Sequence, residues 1–130
     1  MNKQEKIDFW LISSEDNYKS MMNMFKAGEF MWSLFIGHLV IEKLLKSYYV
    51  KMSDADVPRT HDLLKLAVSD GLELDETIKD DLQYITLFNI ETRYDEYRKD
   101  FYKKCTKKFT EENISKIKRL RKWLKEKIKK

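Results

Sequence analysis

Apolar residues recur at intervals of three and four through the first part of the chain, which is the spacing of one helix face. The pattern predicts a first helix over residues 4–26, ended at Ala27-Gly28 because glycine accepts the left-handed conformation that terminates helices. It predicts a second helix over 29–52 that is apolar on nearly every side, so we expect neighbours to cover it on several sides. The stripe of the first helix comprises Ile7, Trp10, Leu11, Ser14, Tyr18, Met21, Met22 and Phe25.

The middle of the second helix is its most apolar part. Residues 31–41 read MWSLFIGHLVI, and Glu29 and Glu42 bracket them. Crossing a membrane takes roughly 20 apolar residues, so a run this short is typical of a buried core helix. Gly37 would cost about 1 kcal/mol relative to Ala in an exposed helix. We therefore interpret it as a position where another backbone approaches closely.

Shorter elements are predicted beyond residue 52. Residues 53–59 form a loop, because Pro58 disfavours helix in the residue before it. A short helix is predicted over 61–69 and ends near Gly71. Residues 89–109 show no clean period and carry many charges. The N-caps predicted for the third, fourth and last helices are Thr60, Asp75 and Thr110. The buried stripe of the last helix comprises Ile114, Ile117, Leu120, Leu124 and Ile128.

Composition agrees with an all-helical chain. Only 3 Gly and 1 Pro are present, so turns are few, and 42% hydrophobic residues are enough to build a core. We predict one domain over residues 1–130, an all-α, up-down bundle of four main helices plus a short helix. The lone Cys105 excludes an internal disulfide, and no Cys/His spacing suggests a metal site or a cofactor. The polar N-terminus does not resemble a secretory signal, so we expect a cytoplasmic protein without a membrane anchor.

The net charge of +4 is unevenly distributed. Residues 91–130 hold 16 Lys and Arg against 7 Asp and Glu, whereas residues 1–90 carry an acidic excess. A basic end on an acidic body favours an anionic partner or pairing between molecules. The alternative is a solvated helix face with no binding role.

Two stretches place polar groups where chemistry could occur. His38, Glu42 and Lys46 are four residues apart and so share one side of the second helix. This polar line needs partners if it is buried, or it simply touches solvent or a neighbouring element. His61 is predicted at the start of a helix, where the backbone favours an anion. Asp62 beside it fits an ordinary first-turn charge equally well.

A third stretch surrounds Arg93 and Tyr94. An Arg between aromatic residues can bind a phosphate through two hydrogen bonds, while a ring stacks on a base. The same Arg could instead form an internal ion pair, for which Glu42 is a candidate. Composition leaves both interpretations open.

Together, these stretches resemble the HEPN family, the domain shared by some prokaryotic nucleotidyltransferase-associated proteins and a large eukaryotic chaperone-like protein. The resemblance covers residues 8–123. It implies a helical bundle that often dimerises, association with a nucleotide or RNA, and pairing with a small nucleotidyltransferase in toxin–antitoxin modules. The matching positions are His38, Glu42-Lys43 and Lys46, then Thr60-His61-Asp62-Leu63, then Thr92-Arg93-Tyr94.

The chain departs from this family at one chemically important point. Many members are metal-independent ribonucleases with an arginine and, four to six residues further on, a histidine, but no histidine stands in that range after Arg93. Asp95 also stands where related sequences tend to have Pro, and 39–41 are larger and less polar. The missing histidine removes the expected acid–base partner, so catalytic residues are not assigned.

Three hypotheses follow. The favoured one is a non-catalytic module that binds a nucleotide, RNA or a nucleotidyltransferase. The alternatives are a ribonuclease toxin that uses Arg93 with a histidine from elsewhere, such as His61, and a purely structural dimerising domain. The bulky apolar residues of helices 1 and 2 predict a two-fold homodimer. They are Trp10, Met21, Met22, Met24, Met31 and Trp32. The nucleotide- or RNA-binding site is predicted as one polar cleft that is lined by His61, Arg93 and Tyr94 and lies beside the polar line of His38, Glu42 and Lys46.

Overall fold

The structure is a computed structural model that describes residues 1–130. It contains helices and no strand, which confirms the predicted all-α class. A short 3-10 turn at Ile90–Thr92 precedes the fifth helix. The helices are α1 Lys3–Lys26, α2 Phe30–Met52, α3 Leu63–Ser69, α4 Glu76–Thr86, α5 Asp95–Lys104 and α6 Lys107–Lys129. None of them combines the length and the apolar character needed to cross a membrane.

Helices α1 and α2 form a closely packed hairpin. The chain turns at Gly28, whose φ of +78° is the left-handed conformation predicted for the end of α1. Small serine side chains lie buried along the contact and donate hydrogen bonds to main-chain carbonyls of the facing helix, so the two backbones approach closely. These bonds run from Ser14 to Val40 (2.9 Å), from Ser33 to Met21 (2.8 Å) and from Ser47 to Ile7 (3.0 Å).

Helix α2 occupies the centre of the bundle and contacts α1, α3, α5 and α6. This confirms that neighbours cover it on several sides. At Gly37, an added Cβ would lie 2.5 Å from Cδ1 of Ile117 and 3.0 Å from the sulfur of Met21. Glycine is therefore needed here because neighbouring groups approach closely. The groups that approach are side chains of α6 and α1, and the expectation that another backbone approaches is wrong.

The aperiodic stretch 89–109 contains helix α5, which the sequence pattern did not predict. Phe101 is the only buried residue of α5, so the helix has no periodic stripe to detect. Helix α6 also begins earlier than expected. Thr106 is its N-cap and accepts from the backbone N–H of Phe109, whereas Thr110 is buried and donates its hydroxyl to the Thr106 carbonyl. The predicted Thr110 cap is therefore wrong by one turn, although the predicted apolar stripe of α6 is buried throughout.

Helix α3 starts two residues later than predicted. Asp62 is the N-cap, with its carboxylate accepting from the backbone N–H of Lys65 at 3.0 Å. Thr60 instead accepts from the N–H of Asp62 in the loop before the helix. His61 thus lies in the loop and outside the helix. The Asp75 cap of α4 and the left-handed Gly71 after α3 are as predicted.

Candidate functional site

The polar line on α2 meets the loop before α3 in one hydrogen-bonded cluster. His38 and Glu42 are almost completely buried, and Lys46, one turn further on, is largely buried. Glu42 is held from two sides: Nδ1 of His61 lies 2.7 Å from its Oε1, and Nζ of Lys46 lies 3.0 Å from its Oε2. Nε2 of His38 lies 3.0 Å from the main-chain oxygen of His61. The side chains of α2 therefore hold both the backbone and the ring of His61.

The acceptors in this cluster determine which ring nitrogens carry protons. A carbonyl oxygen only accepts, so His38 donates through Nε2 to His61. A carboxylate also only accepts, so His61 donates through Nδ1 to Glu42. The His61 ring, with 57% of its side chain exposed, thereby presents Nε2 to solvent as an acceptor in the neutral form. Glu42 orients this ring as a carboxylate orients a metal-binding or catalytic histidine.

The electrostatics of the cluster follow from burial and hydrogen bonding. Burial would raise the pKa of Glu42, but the hydrogen bonds from His61 and Lys46 outweigh it and hold that pKa below its usual value. Glu42 is therefore an anion. Burial lowers the pKa of His38, against the opposing effects of the His61 carbonyl and Glu42, so His38 is neutral.

A cleft opens beside the exposed side of this cluster. Its volume is about 410 Å³, within the range of small-molecule sites. The Nζ of Lys46 lies 5.2 Å from the centroid of the Trp10 ring, so a cation and an aromatic ring meet at the cleft wall. Arg59 is exposed and forms no ion pair. No acidic residue is among those that line the cleft: Trp10, Lys46, Val57, Pro58, Arg59, Thr60 and His61.

The structure does not bring Arg93 and Tyr94 into this cleft. The Arg93 guanidinium lies over the ring of Tyr97, 5.0 Å from its centroid, and Tyr94 is 90% exposed. Neither residue lines the cleft or bonds to the cluster. The ion pair between Arg93 and Glu42 suggested by the sequence is absent, because His61 and Lys46 take both carboxylate oxygens. Four of the six predicted residues therefore come together, and two lie elsewhere.

The cleft also contains Trp10 and Arg59, which were not among the predicted binding residues. Trp10 fits the apolar stripe of α1, so its spacing indicated a core position and nothing more. Arg59 stands in a loop whose path no periodic pattern predicts. No group of three or more His, Cys, Asp or Glu side chains lies close enough to hold a metal ion.

Comparison with known proteins identifies the family to which the chain belongs. No curated protein and no solved structure matches the chain. The model of the HEPN domain matches residues 7–128, which is nearly the whole chain and includes α2, the loop before α3 and the segment around Arg93. The resemblance found in the motifs is thereby confirmed. This protein belongs to the HEPN domain family and is, at that level of description, a nucleotide- or RNA-related module.

Proposed function

We propose that this protein is a non-catalytic HEPN module that binds a phosphate group of a nucleotide or RNA in the cleft beside His61. The observation that carries the proposal is the lining of that cleft. Lys46, Arg59 and His61 face it, and no carboxylate does. Two cations, Lys46 and Arg59, without a competing anion suit a phosphate, and Arg in particular binds one through two hydrogen bonds.

Glu42 supports this role from behind the cleft. Its two oxygens bind Lys46 and His61, which fixes the positions of both side chains beside the cleft. Arg59 remains without a carboxylate partner and supplies the net positive charge. His38 contributes indirectly, since its hydrogen bond to the His61 carbonyl holds the loop in place.

Arg93 and Tyr94 belong to this proposal as a second contact. The guanidinium of Arg93 has no ion-pair partner, and the exposed Tyr94 ring offers a face on which a base can stack. These two residues would bind further nucleotides of an RNA that extends beyond the cleft.

The test is binding of a short single-stranded RNA to the wild type and to Arg59→Ala, measured by fluorescence anisotropy. Arg59 is exposed and unpaired, so the variant should fold normally. A hydrogen bond to a charged group contributes about 1.5–3 kcal/mol, so affinity should fall roughly 10- to 100-fold. Arg119→Ala, an exposed arginine of α6, is the matched control and should have little effect. Equal losses in the two variants would indicate nonspecific attraction and refute the cleft as the site.

The arrangement of Glu42 and His61 favours a second candidate, a ribonuclease. The carboxylate holds Nδ1–H, which leaves Nε2 free to accept the proton of a ribose 2′-hydroxyl as its oxygen attacks the neighbouring phosphorus. The bond from phosphorus to the 5′-oxygen of the next nucleotide breaks, and that oxygen leaves with a proton from water, which gives a 2′,3′-cyclic phosphate. An RNA-cleavage assay without metal, on the wild type and His61→Ala, separates the candidates. Cleavage lost in the variant supports the ribonuclease, and no cleavage by the wild type supports the non-catalytic module.

A protein partner completes the proposal. The HEPN resemblance favours a homodimer that pairs with a small nucleotidyltransferase in a toxin–antitoxin-like system. Co-expression with a nucleotidyltransferase encoded by an adjacent gene, followed by size-exclusion chromatography, tests this. A purely structural dimerising domain would instead form dimers and bind neither RNA nor that enzyme.

A further inference from the structure

A second cavity adjoins the polar cleft. It has a volume of about 330 Å³ and lies between the start of α1, the end of α2 and the loop after α2. Trp10 and Val57 line both cavities, so the two are adjacent, and we call the pair the groove. The groove runs between α1 and the loop of residues 53–61.

The two compartments differ in chemistry. The second cavity is lined by two aromatic rings, Phe9 and Trp10. Phe9 is 50% exposed and packs edge-to-face on Trp10, with ring centroids 5.1 Å apart. The side-chain charges of this cavity are balanced, because Lys3 and Lys6 line it together with Asp54 and Asp56, and Lys3 pairs with Asp54 at 3.3 Å. The polar cleft has cations and no carboxylate. An anion is therefore favoured in the cleft, and an uncharged aromatic group in the second compartment.

We infer that this groove takes a single nucleotide, with its phosphate in the cleft at Arg59 and Lys46 and its base against Phe9 and Trp10. This inference rests on the proposed phosphate site and adds the base compartment and the direction of the ligand. A half-exposed phenylalanine beside a tryptophan offers π-faces that any base can stack on. The unpaired carboxylate of Asp56 accepts a hydrogen bond from the sugar or from a base amino group.

The experiment is isothermal titration calorimetry of the full chain with AMP, ribose 5-phosphate and inorganic phosphate. AMP should bind most tightly, since only AMP fills both compartments. Phe9→Ala should weaken AMP binding roughly tenfold, about 1.4 kcal/mol, and leave ribose 5-phosphate unchanged. Ile12→Ala is the matched control, because Ile12 is an exposed apolar residue of α1 that lines a different cavity. Arg59→Ala should weaken all three ligands.

The outcomes separate this inference from the proposed function. If AMP and ribose 5-phosphate bind equally and both respond to Arg59→Ala, the phosphate site stands and the base compartment is refuted. The base compartment is also refuted if Phe9→Ala and Ile12→Ala act alike. If none of the three ligands binds, or none responds to Arg59→Ala, the single-nucleotide inference is refuted. The proposed phosphate site is then refuted as well only if RNA binding is also unaffected by Arg59→Ala.

Discussion

A carboxylate that is almost fully buried needs donors on both oxygens, and Glu42 has them. Lys46 supplies one from the same helix, and His61 supplies the other from a loop 19 residues further along the chain. Both of these residues also line the proposed binding cleft. Stability and the geometry of the site therefore depend on the same residue.

Glu42→Ala should destabilise the protein because it leaves Lys46 largely buried without a counter-charge. Removing one partner of a buried pair costs about 3–5 kcal/mol, and we expect the lower end because His61 can turn toward water. Urea unfolding measures the change. Glu15→Ala is the control, since Glu15 pairs with Arg121 near the surface and such pairs contribute about 0–1 kcal/mol. Similar losses in the two variants would contradict the buried role of Glu42.

Asp70 presents the opposite case, a buried carboxyl group without partners. Neither of its oxygens has a hydrogen-bond partner, and burial raises its pKa to about 8. The folded protein keeps this proton up to about pH 8, whereas the unfolded chain loses it near the ordinary value of 3.8. The folded state thus binds more protons between these values, so stability should fall as pH rises through this window.

Asp70→Asn should remove this contribution to the pH dependence. Urea midpoints measured at several pH values between 5 and 9 test it, with the wild type declining and the variant declining less. Asp80→Asn, an exposed carboxylate on α4, is the control and should follow the wild type. A variant whose midpoints fall as steeply as those of the wild type would show that Asp70 does not titrate there.

At the scale of elements, α2 determines the arrangement because it touches most of the other helices. Its contact with α6 depends on Gly37, where any Cβ meets Ile117. Its contact with α1 depends on buried serines that bring the backbones together. Small residues on two sides of one helix thus position its third, polar side against the loop that carries His61.

Gly37→Leu should unfold the protein or split its dimer, because overpacking a filled core typically costs about 1–3 kcal/mol. Gly37→Ala adds only the Cβ and should have a smaller effect. It should still lower the thermal midpoint, even though Ala is the better helix former. Adding Ile117→Val, which removes the Cδ1 atom 2.5 Å from the new Cβ, should restore part of the loss. Strictly additive effects of the two changes would contradict a direct clash.

At the scale of the whole molecule, exposed aromatic surface predicts association. Trp32 on α2 is 42% exposed, although it packs edge-to-face on Phe35. Some of the bulky residues that suggested a dimer are internal, since Met21 and Met31 are buried. Trp32 remains as a candidate anchor, because exposed tryptophans are frequent centres of interfaces.

We therefore expect a two-fold homodimer in sedimentation at micromolar concentration, and Trp32→Glu should shift it toward monomer. Tyr102→Glu, which places the same charge on another exposed aromatic position, is the control and should leave the dimer intact. A wild type that sediments as a monomer would refute the dimer, and equal effects of both variants would refute Trp32 as its anchor.

Several features could be predicted from the sequence because they depend on neighbours along the chain. The ends of α1 and α2 follow from periodicity and from Gly28, and the polar line of His38, Glu42 and Lys46 follows from a spacing of four. The motif set also identified the HEPN family. Helix α5 escaped detection because a helix with one buried residue leaves no periodic signal.

Only the tertiary structure decided which groups meet. From the sequence, Arg93 was a candidate ion-pair partner for Glu42. In the structure, His61 is the partner. The fold also placed Trp10 and Arg59 beside Lys46, and it left Arg93 on Tyr97. The physical reason is that periodicity reports which side of a helix is buried. The partner across the contact depends on loop paths and helix packing, which join residues far apart in the chain.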